Sequence, residues 1–398
     1  MSKAQGQGGW SHEVVVLLPE RVQPGRGPAA VEPLGPALQA LLEDGKAESV
    51  FQASRQVHAA SVRMPSIYAV KTLGDAETRD ILEMLTEDME AATVYVAPPR
   101  GVLGRHVGGD AGSNSKAMDH WGMDYVAAEL ATADASGIAV AVVDTGVDRS
   151  HPDLKDAIDE YINFCQGESD DDIHGHGTHV CGIIAATGLP PQGMKGASNA
   201  RLHVFKGMGI KYSALDYYRA LGEAIGSAQI INLSLGGVHH DPAEEVIIQQ
   251  GLNKGALVIA ASGNEGDDGS CPNYPANLAG VIAVGAIDEK GARAEFSNAG
   301  PHVMVVAPGV EIWSTAPTKK CSLFKKQLSY APCSGTSMAT PFVTALAAKV
   351  AASGGGTPLA QTIRDKLPIQ RCPGQVGKTD DLGYGYVCWG GPLTLANA

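Results

Sequence analysis

The sequence predicts an α/β protein: a doubly wound, mostly parallel sheet with helices on both faces, preceded by a smaller α/β unit. Two observations carry this reading. From Trp121 onward, short and nearly continuous apolar runs alternate with helical stretches. Strands buried on both faces of a parallel sheet require such runs, and the alternation is that of a doubly wound domain. Upstream, a glycine-rich and weakly apolar stretch, Gly101–Ser115, separates this region from an earlier set of elements and reads as a linker.

Taken in order, residues 1–12 form a disordered lead. Residues 13–97 form the small unit, with strands at 13–18, Ser49–Phe51 and Ser66–Val70, and a closing strand Thr93–Val96 before Pro98-Pro99. Helices fall near 36–43 and 76–90, the second placing Leu82, Leu85 and Met89 on one face. Residues 98–118 are the linker and 119–398 the large domain. Its strands are Ile138–Val143, Leu202–Phe205, Ile230–Leu233, Leu257–Ala261 and Val281–Val284; its helices include Ala214–Ile225, Ala243–Asn253 and one from near Ser337 to the Gly354–Gly356 run. The tail beyond is too short for a further domain.

At 398 residues the chain can bury a sizeable core. A formal net charge of −13 argues against a nucleic-acid partner, which needs a basic field. The same acidity suits either steering of cationic peptides or plain solubility. No apolar stretch approaches the ~20 residues of a membrane-spanning helix. The best N-terminal apolar run, Val14–Leu18, is cut short by Pro19 and Glu20 and reads as a strand. The expected location is therefore cytoplasmic, or outside by a route without a recognisable signal; an extracellular protein would need a signal already removed. Seven cysteines leave at least one unpaired within the chain. Cys321 with Cys333, and Cys372 with Cys388, are spaced for loop-closing disulfides, whereas a reducing compartment would keep them as thiols.

Three segments carry chemistry. Val142-Val143-Asp144-Thr145-Gly146 is an apolar strand ending in a carboxylate, at the sheet end where ligand sites gather. His174-Gly175-His176-Gly177-Thr178-His179-Val180 sets an imidazole among glycines at a helix start. Its three histidines lack the HExxH spacing of a metal site, and His179 reads as a core hydrogen-bonding residue. Ser334-Gly335-Thr336-Ser337-Met338-Ala339-Thr340-Pro341 puts an uncrowded hydroxyl at the N-terminus of an apolar helix, where backbone N–H groups favour developing negative charge. A serine there also suits a helix cap, as Asp144 suits a turn. Together the three give a carboxylate, an imidazole and a hydroxyl in the order Asp, His, Ser, an arrangement suited to nucleophilic catalysis.

On these residues the chain resembles the subtilases, the subtilisin-like serine proteases. DTGVD with HPDL after it, HGTHVCG, NLSLGG, AASGNEG and SGTSMATP all match, and the resemblance runs over roughly 119–390. It implies a serine endopeptidase in which Ser337 attacks the scissile carbonyl, His176 moves the proton and Asp144 orients the imidazole. Asn264 matches the oxyanion-hole asparagine, although a residue between glycines also suits a turn. Ser234, Leu235 and Gly236 match the strand that pairs with an extended substrate backbone. Glu265, Asp267, Asp268 and Asn273 fall on the segment of the pocket for the residue before the cut; either they favour Lys or Arg there, or they form a solvated acidic loop. Residues 13–97 resemble the propeptide, expected to template folding, to inhibit the site intramolecularly and to be removed by self-cleavage somewhere in 98–118. A permanent partner-binding domain is the alternative. The implied enzyme is a monomer acting on protein or peptide substrates, in general degradation or in narrow processing of a precursor.

The chemistry requires no cofactor, but the resemblance also implies structural calcium, for which Asp153 matches one ligand. The loop that would supply the remaining ligands, Thr187–Met194, has no carboxylate, whereas calcium takes six to eight oxygens. The acidic run Glu168–Asp172 offers a different cation site or a solvated loop.

Overall fold

The computed structural model describes residues 12–18, 34–51, 66–89, 92–106, 120–127, 132–189, 193–326, 328–353, 368–371, 375–389 and 393–394. Of the lead expected at 1–12, only His12 lies within them, and it opens the first strand.

The small unit comprises β1 (His12–Leu17), α1 (Pro36–Glu43), β2 (Ala47–Ser49), β3 (Ile67–Thr72), α2 (Asp75–Asp88) and β4 (Thr93–Val96). Its antiparallel sheet has the order β2-β3-β1-β4. β1 is apolar at consecutive positions because both of its faces are covered. Val14 and Val16 pack with Leu38, Ile81 and Leu85 of the two helices, whereas Val15 points the other way into a core shared with the large domain. The strand expected at 49–51 lies two residues earlier. In α2 the buried stripe is Thr78, Ile81 and Leu85; Leu82 is only partly buried.

After β5 (Gly101–Val102) and β6 (Arg105–His106), the large domain begins with α3 (Trp121–Tyr125). It continues through β7 (Ala139–Asp144), β8 (Ile158–Asn163), α4 (His176–Ala185), β9 (Arg201–Lys206), α5 (Ala214–Ser227), β10 (Ile230–Leu233) and β11 (Leu235–Gly236). Then follow α6 (Pro242–Asn253), β12 (Leu257–Ala261), β13 (Ile282–Ile287), β14 (Val303–Pro308), β15 (Ile312–Thr315), β16 (Tyr330–Ser334), α7 (Thr336–Ser353), β17 (Pro368–Gln370), β18 (Tyr386–Val387) and β19 (Leu393–Thr394). The main sheet has the order β19-β17-β18-β14-β13-β12-β10-β7-β9-β8 and is parallel from β18 to β8. The tail, too short for a domain, adds β17 and β19 antiparallel at one edge.

Alternation along each central strand feeds two cores. Val140 and Val142 of β7, with Leu257 and Ile259 of β12, meet residues of α4 and α7, among them Ile183, Phe342 and Leu346. Ala141, Val143, Val258 and Ala260 face α5 and α6, meeting Tyr217, Leu221, Ile247 and Ile248. The doubly wound expectation holds: strands buried on both faces need helices on both. Each fully buried Val, Leu or Ile contributes about 1.5–3 kcal/mol, so the helices on both faces stabilise the sheet substantially.

The small unit lies on the α5–α6 face. Glu13 accepts hydrogen bonds from Ser213 Oγ (2.9 Å) and from the Ala214 and Leu215 N–H groups (2.5 and 3.2 Å), capping α5 from outside. Tyr95 donates to Asp241, the N-cap of α6 (2.7 Å), and Arg219 of α5 donates to the Val50 and Ser49 carbonyls and to Glu48.

Candidate active site

Asp144 ends β7 at the carboxyl edge of the sheet and is fully buried. Its carboxylate accepts from His176 Nδ1 at 2.8 and 3.1 Å and from the Thr145 N–H at 2.7 Å. His176 is the first residue of α4 and is likewise buried. The glycine after it is required by space: a Cβ on Gly177 would fall 2.1 Å from the Gly146 carbonyl oxygen and 3.1 Å from Asp144 Oδ1. Asp172, read from the sequence only as part of an acidic run, organises this corner. Buried, it accepts from Thr145 Oγ1, the Gly175 and Thr178 N–H groups and Thr178 Oγ1, at 2.6–2.9 Å. Thr145 Oγ1 in turn accepts from the Gly177 N–H (3.0 Å), so one carboxylate fixes both the strand end and the helix start. Glu168 of the same run pairs with buried Lys206 (3.3 Å), so the run is tied into the fold at both ends while Ser169, Asp170 and Asp171 between them are exposed, as a solvated loop would be.

Ser337 is the second residue of α7 and buried. Pro341 lacks the N–H that would bond the Ser337 carbonyl in a regular helix, and Ser234 Oγ donates to that carbonyl instead (3.0 Å). The Ser337 hydroxyl donates to the Ser234 carbonyl at 2.6 Å. The hydrogen bond expected between Ser337 and His176 is not made: His176 Nε2 is buried with no hydrogen-bond partner among the described residues. His179, in the next turn, bonds the Ala331 carbonyl at 3.0 Å from within the core.

Asn264 is oriented by its Oδ1, which accepts from the N–H and hydroxyl of Thr336, both at 2.9 Å. Its Nδ2 then donates to the carbonyl of Leu103 at 2.6 Å, and the Ser337 N–H donates to the same oxygen at 3.3 Å. Two donors, one from each predicted side of an oxyanion hole, thus meet on one carbonyl of the chain itself. A Cβ on Gly335 would fall 2.2 Å from that oxygen, so only glycine admits the peptide here. The Leu103 N–H reaches back to the Ser234 carbonyl (3.4 Å).

On either side the chain is held as an extended strand. Gly101 and Val102 of β5 pair antiparallel with Gly236 and Leu235 of β11, and β6 pairs with Cys333 and Ser334 of β16. Residues expected to form a loose linker therefore cross the cleft in register. Gly104 lies against the imidazole: a Cβ there would be 2.9 Å from both Cδ2 and Nε2 of His176. Residues 107–119, the rest of that stretch, lie outside the described residues.

Asn273, expected beside the cut, lies against β11: a Cβ on Gly236 would fall 1.9 Å from its Oδ1. Glu265 Oε2 accepts from Asn298 Nδ2 (2.7 Å) and Asn273 Nδ2 (3.3 Å), while Asn273 Oδ1 is buried with no hydrogen-bond partner among the described residues. Asp268 is exposed, and of the Asp267 side chain nothing is described. The residue whose carbonyl sits between the donors is apolar Leu103, buried. The acid that meets Arg100 is Glu244, the third residue of α6, whose carboxylate takes Arg100 Nε (3.0 Å), Arg100 Nη2 (2.7 Å) and the Tyr217 hydroxyl (2.7 Å). Burial disfavours the guanidinium charge, but Glu244 outweighs it and raises the Arg100 pKa above its ordinary value.

Asp153 does not fit the calcium role. Its Oδ1 accepts from the Leu189 N–H (2.8 Å), and its Oδ2 from the Met194 N–H (2.7 Å) and the Tyr330 hydroxyl (2.9 Å). Donors occupy the places a cation would take, and the two N–H groups come from the very loop expected to supply oxygens. Among the described residues no group of three or more His, Cys, Asp or Glu is arranged around a metal position. Cys321 and Cys333 are separate buried thiols; Cys388 is a free thiol, and Cys372 lies outside the described residues.

Comparison with known proteins gives a consistent picture. Residues 135–366 match the Subtilase family. The chain is 41% identical to a thermophilic serine proteinase of Bacillus sp. (strain AK1), over 56% of this chain and 54% of that protein. It is 36% identical to thermitase of Thermoactinomyces vulgaris, over 56% of this chain and 77% of thermitase. With subtilisin Savinase of Lederbergia lenta it shares 37% identity over 67% of this chain and 96% of that protein. The chain thus spans about half the length of the first relative and nearly all of the last.

Proposed function

This chain belongs to the subtilase family, and from that premise we propose that it is a serine endopeptidase whose first substrate is its own Leu103–Gly104 bond. One observation carries the reading: the Leu103 carbonyl oxygen is held by Asn264 Nδ2 and the Ser337 N–H while the next residue lies against His176. In acyl transfer the negative charge develops on that oxygen, and preorganised donors there lower the barrier.

The reaction begins with rotation of the Ser337 side chain, which moves its hydroxyl from the Ser234 carbonyl to the unpartnered His176 Nε2. Ser337 Oγ attacks the Leu103 carbonyl carbon as Nε2 takes its proton. Asp144, bonded to Nδ1, holds the ring in orientation and stabilises its charged form. Collapse of the tetrahedral intermediate breaks the Leu103–Gly104 bond, and Nε2 returns the proton to the Gly104 amine. Water then hydrolyses the ester on Ser337. The segment ending at Leu103 becomes a product that still occupies the groove through β5 and still rests on α5 and α6, so the N-terminal unit inhibits until it leaves. Other proteins and peptides follow by the same steps.

A fluorophosphonate probe, which requires an activated serine, tests the assignment. It is expected to label the wild-type enzyme and not Ser337→Ala; equal labelling of both would remove Ser337 from the role.

A further inference from the structure

Beside the groove that holds residues 101–103, the fold buries a carboxylate for which the peptide-bond chemistry has no use. The side chains of Glu244 and Arg100 are both wholly inaccessible to solvent, and the guanidinium meets the carboxylate through two of its nitrogens. Tyr217 supplies a further donor to Glu244 Oε1. An isolated carboxylate at such a depth is strongly disfavoured, while its place in the first turn of α6 moderates this through the helix dipole. Space for the arginine is left by Gly237: a Cβ there would fall 3.0 Å from Arg100 Nη1 and 2.6 Å from the Pro99 carbonyl oxygen.

Register decides what this pocket reads. Leu103 presents the carbonyl to the two donors, and Val102 and Gly101 pair with Leu235 and Gly236. Arg100 is therefore the fourth residue before the cut. Glu244, Tyr217 and Gly237 all belong to the large domain, so when the N-terminal segment departs the pocket keeps its carboxylate and loses its cation. We infer that Glu244 forms an arginine-selective subsite, and that the enzyme's substrates are extended peptide segments with arginine four residues before the scissile bond. The inference rests on the endopeptidase reading above. Arginine suits the site better than lysine because its planar fork bonds both carboxylate oxygens at once, whereas an ammonium meets them as a point charge. A substrate without the cation leaves Glu244 buried and unpaired, so it is rejected by the pocket as well as unassisted by it.

The test uses the self-processed enzyme and four fluorogenic peptides built on Arg-Gly-Val-Leu-Gly, the first position being arginine, lysine, citrulline or alanine. The arginine peptide is expected to exceed the citrulline and alanine peptides by roughly 30-fold or more in kcat/KM, with lysine between. In Glu244→Gln the arginine-to-alanine ratio is expected to fall towards one. Should that variant not fold, the wild-type series decides alone. Equal cleavage of the arginine and alanine peptides, with the probe still labelling Ser337, would overturn the subsite and leave the endopeptidase standing; Arg100 would then be a docking contact only. Absence of both labelling and cleavage would overturn the endopeptidase reading and the subsite with it.

Discussion

Asp216, in the first turn of α5, carries a buried carboxylate oxygen with no hydrogen-bond partner. Burial is the main reason its pKa is raised to about 6; Lys71 opposes the shift and Glu13 adds to it, with Arg219 a smaller opposing charge. A carboxyl with a raised folded pKa holds its proton more tightly in the folded state than in the unfolded one. Stability is therefore lost as pH climbs from about 4 to about 6, and the full penalty applies above. Asp216→Asn, made in the uncut Ser337→Ala chain, should raise stability by about 1–2 kcal/mol at pH 8 and change it little near pH 4. Thermal melts at the two pH values check this, and an equal shift at both would contradict it. The proposed triad residues and Asn264 could be picked out of the sequence because each sits beside glycines, of which close approach demands Gly177, by the Gly146 carbonyl, and Gly335, by the Leu103 carbonyl. Glu244 was not legible. An acid in the first turn of a helix is the common pattern for a solvated, dipole-complementing charge, and only the fold brings Arg100 to it across 144 residues of chain.

At the scale of elements, the N-termini of α5 and α6 are where the small unit takes hold. Glu13 from β1 satisfies two orphan N–H groups of α5, and Tyr95 from β4 joins Asp241 at the start of α6. Glu13→Ala removes the external cap while leaving Ser213, whose hydroxyl accepts from the Asp216 N–H (3.2 Å). The cleaved N-terminal fragment should then bind the large domain about ten-fold more weakly, in line with about 1–1.5 kcal/mol for such contacts. Inhibition by the fragment after self-cleavage measures this, and undiminished inhibition would contradict the docking role. Central strands such as β7 and β12 announced themselves because burial on both faces leaves no room for polar residues. β8 did not: at the sheet edge it reads IDEYIN, with charged residues tolerated at the solvated margin. β16 was hidden by Pro332, acceptable in a short antiparallel sheet but a warning against a strand in sequence alone.

For the whole molecule, glycine richness between 101 and 115 suggested slack, yet Gly101–Val102 and Arg105–His106 are paired in register with β11 and β16. Glycine at 104 answers crowding, since a Cβ there would fall 2.9 Å from His176, whereas a Cβ on Gly101 would meet nothing within 4 Å. Composition cannot separate a glycine that frees the chain from one that fits it into a tight cleft; only the partner surface does. The same segment joins the two halves of the account, since the residues that tether the small unit are those presented to Ser337, Asn264 and His176. Intact-mass and N-terminal analysis of the purified chain, wild type beside Ser337→Ala, tests that claim most directly. The wild type should yield a large fragment beginning at Gly104 and a small one ending at Leu103, with Ser337→Ala uncut. A first cut at any other bond, or the same cut in Ser337→Ala, would contradict it.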